Sequence, residues 1–146
     1  RGALTVLVDA NILLYAVDES GPHHARARTW LQDALNGHRR VGIPWQSYWA
    51  FLRIATNPRA FVNPLAPAEA WRLIEAWLDA PATWLPEPGP SHRVILHRLI
   101  TDAAVHGPLV SDAVLAALCI EHGLAIVSND SDFARFREVR WVNPLA

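Results

Sequence analysis

Short, unbroken apolar runs alternate along the chain with longer stretches whose apolar positions recur at helical spacing. The first run, Leu4-Thr5-Val6-Leu7-Val8, is rich in β-formers and predicts a strand buried on both faces. Asp9-Ala10-Asn11 ends it, and Ile12-Leu13-Leu14-Tyr15 starts a helical turn. After the break at Gly21-Pro22, His23 to Leu35 reads as an amphipathic helix closed by Asn36-Gly37. Val41-Gly42-Ile43 predicts a second strand, stopped at Pro44. The spacing of Trp49, Leu52 and Arg53 then predicts a helix from Gln46 to Ala55, ended by Asn57-Pro58. Pro67 suits the first turn of a helix through Asp79, with Trp71, Leu73, Ile74, Trp77 and Leu78 on its apolar face. Thr83-Trp84-Leu85 forms a third strand inside a segment punctuated by Pro81, Pro86, Pro88 and Pro90. Ser91 is the expected N-cap of a helix to about Val105, and Ser111 that of a helix from Asp112 to Glu121, which Gly123 ends. Leu124 to Val127 is a fourth strand, Asp132 to Phe136 one helical turn, and Val139 to Val142 a final edge strand. Strands that alternate with helices predict the α/β class, a sandwich around a mostly parallel sheet. The strand order does not follow from the pattern.

Composition narrows this without redirecting it. A chain of 146 residues, 51% hydrophobic and 18% charged, suits one domain with a real core, and excludes a disordered or fibrous protein. No apolar run approaches the ~18 residues of a membrane span and no basic-then-apolar leader opens the sequence, so no membrane association is expected. Methionine is absent, which suggests a chain trimmed or tagged at its start. The lone Cys119 excludes an internal disulfide framework and a cysteine zinc cage, so a reducing cytoplasm is the expected location. A net charge of -1 exerts no global pull on nucleic acid; any such binding must come from local Arg clusters.

The candidate chemistry lies in the carboxylates. Asp9 follows the first strand, while Asp130 and Asp132 follow the fourth, where an open α/β sheet places its ligand crevice. Asp112 falls in the first turn of the helix that feeds the fourth strand. Taken singly, Asp9 is a turn-former and Asp112 a first-turn acid favoured by the helix dipole. Taken together, carboxylates on one rim repel by roughly 4 kcal/mol per pair at 4 Å and an effective dielectric near 20, which a divalent cation would relieve. Hard oxygen donors without paired His or Cys point to Mg2+ or Mn2+, and to metal-assisted phosphoryl hydrolysis.

The segments Val8-Asp9-Ala10-Asn11-Ile12-Leu13-Leu14-Tyr15-Ala16, Ser111-Asp112-Ala113 with Ala116-Ala117, and Ser128-Asn129-Asp130-Ser131-Asp132-Phe133 occur in this order. Together they resemble the PIN-domain ribonucleases, in particular the VapC toxins of bacterial toxin–antitoxin pairs. The resemblance extends over Ala50-Phe51-Leu52-Arg53, Thr56-Asn57-Pro58-Arg59 and Trp141-Val142-Asn143-Pro144-Leu145, nearly the whole chain. It implies one PIN domain over residues 1–146, a three-layer sandwich with a short, twisted sheet flanked by helices. It also implies a Mg2+- or Mn2+-dependent endoribonuclease that cuts tRNA or rRNA loops and so inhibits translation. Asp9, Asp112 and Asp130 would hold the metal, with Asp132 a further ligand or an outer support. The implied partners are a VapB-type antitoxin, the RNA substrate and a second copy of the chain. One departure stands out: family members commonly carry a Glu immediately before the Phe-Leu-Arg stretch, where this chain has Ala50. Gln46, one helical turn earlier, does not replace that charge. The alternative is therefore a weakened PIN module that binds antitoxin or RNA without efficient cleavage.

Other residues carry two readings each. Asn11 either orients Asp9 or is simply a turn residue, and Ser128 either bonds a carboxylate or phosphate or caps the strand end. Arg53 and Arg59 are candidates for RNA contact, since Arg is shaped for bidentate phosphate binding, or are solvated surface groups. The cluster Arg135, Arg137 and Arg140 is open in the same way. The seven His show no zinc spacing, Cys119 has no triad around it, and the seven Trp exceed what a small core needs. Trp71 and Trp77 are expected in the core, and some of the others at a protein interface.

Overall fold

The computed structural model describes residues 4–146. Its strands are β1 (Val6–Val8), β2 (Val41–Gly42), β3 (Thr83–Trp84), β4 (Ala125–Val127) and β5 (Trp141–Val142). Its helices are α1 (Ala10–Val17), α2 (His24–Leu35), α3 (Trp45–Ala55), α4 (Pro67–Asp79), α5 (His92–Asp102) and α6 (Leu109–His122), with a 3-10 turn at Ser131–Arg135. The sheet order is β3-β2-β1-β4-β5, and all four pairings are parallel. The expectation of an α/β sandwich around a parallel sheet holds. Because successive side chains on a strand point to opposite faces, Val8 and Val127 join one core while Leu7 and Ile126 join the other. The first core is closed by α1 to α4 through Leu13, Tyr48, Phe51 and Ile74; the second lies under α5 and α6 through Leu99, Ala116 and Leu118.

Chain direction changes sides between β1 and β4, so the crevice expected at such a switch point opens above their carboxyl ends. Asp9 and the Ser128–Asp130 segment sit there side by side, and the Asp9 N–H donates to the Val127 carbonyl at 3.0 Å.

Several boundaries differ from the sequence expectation for local reasons. Ser111 does not cap α6: the helix starts at Leu109 behind Gly107-Pro108, whose proline has helical φ, leaving Ser111 exposed within the first turn. Ser91 makes no capping bond either; instead the Glu121 carboxylate accepts the N–H groups of Gly89 (2.9 Å) and Ser91 (3.0 Å), which holds Glu121 below the usual carboxylate range. Helix α5 stops at Asp102 rather than near Val105 because Ala104 turns left-handed at φ 48°. Gly123 ends α6 as expected, at φ 70°, a conformation glycine enters without a Cβ penalty. Trp77 is buried, but Trp71 on the same helix is 42% exposed and is not part of the core. Cys119 is buried, as its helix face predicts. Among the described residues no helix is long and apolar enough to cross a membrane.

Candidate active site

Asp9 is the N-cap of α1: its extended backbone ends β1, and its Oδ1 accepts the Ala10 N–H at 2.8 Å. The other oxygen, Oδ2, accepts the Ser128 hydroxyl at 2.6 Å. Ser128 is fully buried and has no spare capacity, since its Oγ also accepts the Asn11 side-chain amide and the Asp130 N–H, both at 3.0 Å. Ser128 is thus a carboxylate partner as well as a strand-end residue. Asn11 braces the same joint, because its Oδ1 accepts the Asn129 N–H at 3.3 Å. The Ser128 carbonyl takes the Trp141 indole N–H at 2.9 Å, and Asn143 donates to Asn129 at 3.0 Å, so the β5 segment fixes the loop from behind. Sequence reasoning passed over Asn129 and Asn143; polar side chains closing one strand end were the available signal.

Asp130 caps the 3-10 turn, its Oδ1 accepting the Asp132 N–H at 2.9 Å. That bend brings Asp130 and Asp132 to face Asp112 on α6, and one oxygen from each of the three lies within 4.8 Å of the others. Asp9 stands beside this trio rather than inside it, with both oxygens engaged as above. The electrostatics still couple all four. Burial, then the charges of Asp130, Asp9 and Asp132, push the Asp112 carboxyl up to about 7, against a downward pull from Arg135. Burial raises Asp9 as well; the Ser128 and Ala10 hydrogen bonds oppose the rise and Asp130 adds to it.

A cavity of about 340 Å³ opens on Asp9 and Asp112, walled by Gln46, Trp49, Ala50 and Arg53 of α3 and by Ser111 and Leu115 of α6. Helix α3 is held there by Ser47, a buried residue the sequence did not flag, whose hydroxyl donates to the Val8 carbonyl at 2.7 Å. Ala50 therefore lines the wall where a further carboxylate would face Asp9 and Asp112. Arg53 lines it too. Arg59 lies in the exposed turn after α3, outside the cavity, with its N–H on the Asn57 side chain. Arg135 is drawn to Asp132 at 4.0 Å. An all-oxygen donor set of mutually repelling acids, one kept close to neutral by its neighbours, fits a hard divalent cation.

The PIN domain family matches residues 6–139. The chain belongs to that family. Ribonuclease VapC37 of Mycobacterium tuberculosis is similar to this PIN protein at 46% identity over 140 residues, 96% of this chain and 97% of its own. Ribonuclease VapC33 of the same species is 41% identical over 140 residues, 96% of this chain and 98% of its own. Two solved structures share the fold. VapBC2 from Rickettsia felis, bound to a DNA fragment from its promoter, has a TM-score of 0.72 at 12% identity over 96% of this chain and 98% of its own. VapBC-1 from nontypeable Haemophilus influenzae has a TM-score of 0.71 at 11% identity, covering 98% of this chain and 100% of its own.

Proposed function

We infer that this PIN protein is a ribonuclease of the VapC kind, the toxin of a toxin–antitoxin pair. The observation that carries this is the 46% identity, over nearly the whole chain, to a relative named as a VapC ribonuclease. Its substrate is RNA, cut within tRNA or rRNA loops so that translation stops, and its partner is a VapB-type antitoxin. Exposed apolar side chains at Val62, Trp71, Val94 and Val110 support surfaces for that antitoxin and for a second copy of the chain.

The site residues are assigned as follows. Asp112, Asp130 and Asp132 hold a Mg2+ or Mn2+ ion, with Asp9 completing the set from the adjacent strand end. The ion supplies Lewis acidity and offsets the charge that builds on a phosphodiester during hydrolysis. Ser128 and Asn11 fix the orientation of Asp9, and Arg53 binds substrate phosphate. Arg59, outside the cavity, reaches only RNA that extends beyond it. The second reading, a binding module disabled by Ala50, is not favoured beside relatives named as ribonucleases at 37–46% identity.

The test is cleavage of a mixed tRNA and rRNA pool by the purified chain with Mn2+, with Mg2+ and with EDTA. Discrete cuts that EDTA abolishes are expected. If the wild-type chain leaves RNA intact while Ala50→Glu cuts it, the missing carboxylate is disabling and the ribonuclease reading falls.

A further inference from the structure

Trp49 is out of place as a core residue. It is 61% exposed, although it sits on a helix whose neighbouring side chains Tyr48 and Phe51 are fully buried. It lines the wall of the cavity that opens on Asp9 and Asp112. Its indole lies nearly parallel to that of Trp45, with centroids 6.5 Å apart and an interplanar angle of 18°. Trp45 is in turn packed edge-on against buried Tyr48 at 5.6 Å. An exposed ring is thus braced from behind by two further aromatics. Arg53, one helical turn later, lines the same wall, is exposed, and has no ion-pair partner among the described residues.

We propose that Trp49 is a stacking platform for an unpaired nucleobase of the RNA substrate, holding the nucleotide next to the phosphate presented to the carboxylates. This rests on the ribonuclease reading above. Single-stranded RNA is gripped by aromatic faces that take splayed-out bases and by guanidinium groups that take phosphates, and α3 sets one of each along one wall of the acidic cavity. A flat indole is sequence-tolerant because every base has a π-face, so Trp49 selects for an unstacked base rather than for its identity. Duplex RNA, with its bases engaged, is refused. Proximity to the acids also favours a base over a protein segment: a strand that threads the cavity must place one base beside the scissile phosphate, and Trp49 is the exposed aromatic there.

The test compares wild type, Trp49→Ala and Trp49→Phe on a fluorescein-labelled single-stranded RNA of random sequence, and on the same RNA annealed to its complement. Stacking predicts that Trp49→Ala raises KM about 10-fold to 100-fold with a much smaller change in kcat, and that Trp49→Phe recovers most of the loss. It also predicts that the preference for single strand over duplex shrinks in Trp49→Ala. Thermal stability serves as the control for folding, and it should stay constant because the side chain is exposed. Equal KM for wild type and Trp49→Ala overturns the proposal while leaving the ribonuclease reading intact. So does a Trp49→Ala chain that keeps its RNA kinetics but self-associates less, since Trp49 is then a protein contact. A wild-type chain that cuts no RNA removes the ribonuclease reading, and this proposal with it.

Discussion

Asp112→Asn should abolish RNA cleavage and at the same time make the metal-free protein more stable. The two effects share one cause. The Asp112 carboxyl is pushed up to about 7 by burial and by the charges of Asp130, Asp9 and Asp132, so its ionised form is disfavoured in the folded chain. An acid whose folded pKa lies above its unfolded value of 3.8 keeps more protons when folded. Stability is therefore highest below about 3.8 and falls as pH rises to about 7, where the carboxylate is ionised in both states. Asn removes that cost, raising Tm near neutral pH by about 2–4 °C for each kcal/mol relieved. It should also flatten the fall of Tm between those pH values, leaving the smaller slope that the raised Asp9 contributes in the same direction. Losing one ligand to the ion removes several kcal/mol of charge stabilisation in the transition state, about a 1,000-fold fall in turnover. Turnover assays and melting curves across pH read both halves. An Asn variant as active as wild type, or less stable than it at neutral pH, contradicts the assignment.

Ser128→Ala should damage both the fold and the site, though Ser128 touches no substrate. Its hydroxyl is the donor to Asp9 at 2.6 Å and the acceptor for Asn11 and the Asp130 N–H at 3.0 Å, at a fully buried position joining the ends of β1 and β4. Removing it leaves two donors and a carboxylate oxygen without that partner, a loss of about 1–3 kcal/mol that urea unfolding will show as a lower midpoint. With its hydrogen bond gone, Asp9 loses a contact that lowers its pKa and rises further. Groups that orient a ligand in this way cost about 10-fold to 100-fold in metal affinity or activity when lost, and that is the expected fall in cleavage. Unchanged unfolding and unchanged cleavage together would mean that Ser128 merely ends a strand.

What could be read in the sequence follows from which forces act locally. The strands were legible because Leu4–Val8 and Leu124–Val127 are apolar without interruption, as two-sided burial requires, and the observed β1 and β4 lie inside those runs. Helix α4 was legible to the residue because Pro67 marks its first turn and its apolar spacing runs unbroken to Asp79. The caps at Ser91 and Ser111 were misread because the competing partners are remote or specific to a turn: Glu121, distant in sequence, satisfies the N–H groups before α5, and Gly107-Pro108 starts α6 early. Trp71 looked like a core residue because helical spacing fixes a face but not the width of the stripe that becomes covered. For the site, position after a parallel strand marked Asp9 and Asp130, whereas the order β2-β1-β4 that brings them together was invisible in the periodicity. The division of labour among the acids was equally hidden. Only the Asp130–Asp132 bend shows that three of them cluster, with Asp9 bound to Ser128 alongside.

The central claim is that the acidic rim is a divalent-cation site, and the thermal response of the wild-type chain to Mn2+ tests it most directly. Stripped of metal with EDTA, dialysed and melted at neutral pH with rising Mn2+, the wild-type chain should gain about 2.7 kcal/mol at an ion concentration 100 times the dissociation constant. That corresponds to roughly 5–10 °C in Tm. Asp112→Asn, although more stable at the outset, should gain far less from the same Mn2+. A wild-type Tm indifferent to Mn2+ and to Mg2+, or equal gains in wild type and Asp112→Asn, would contradict the account.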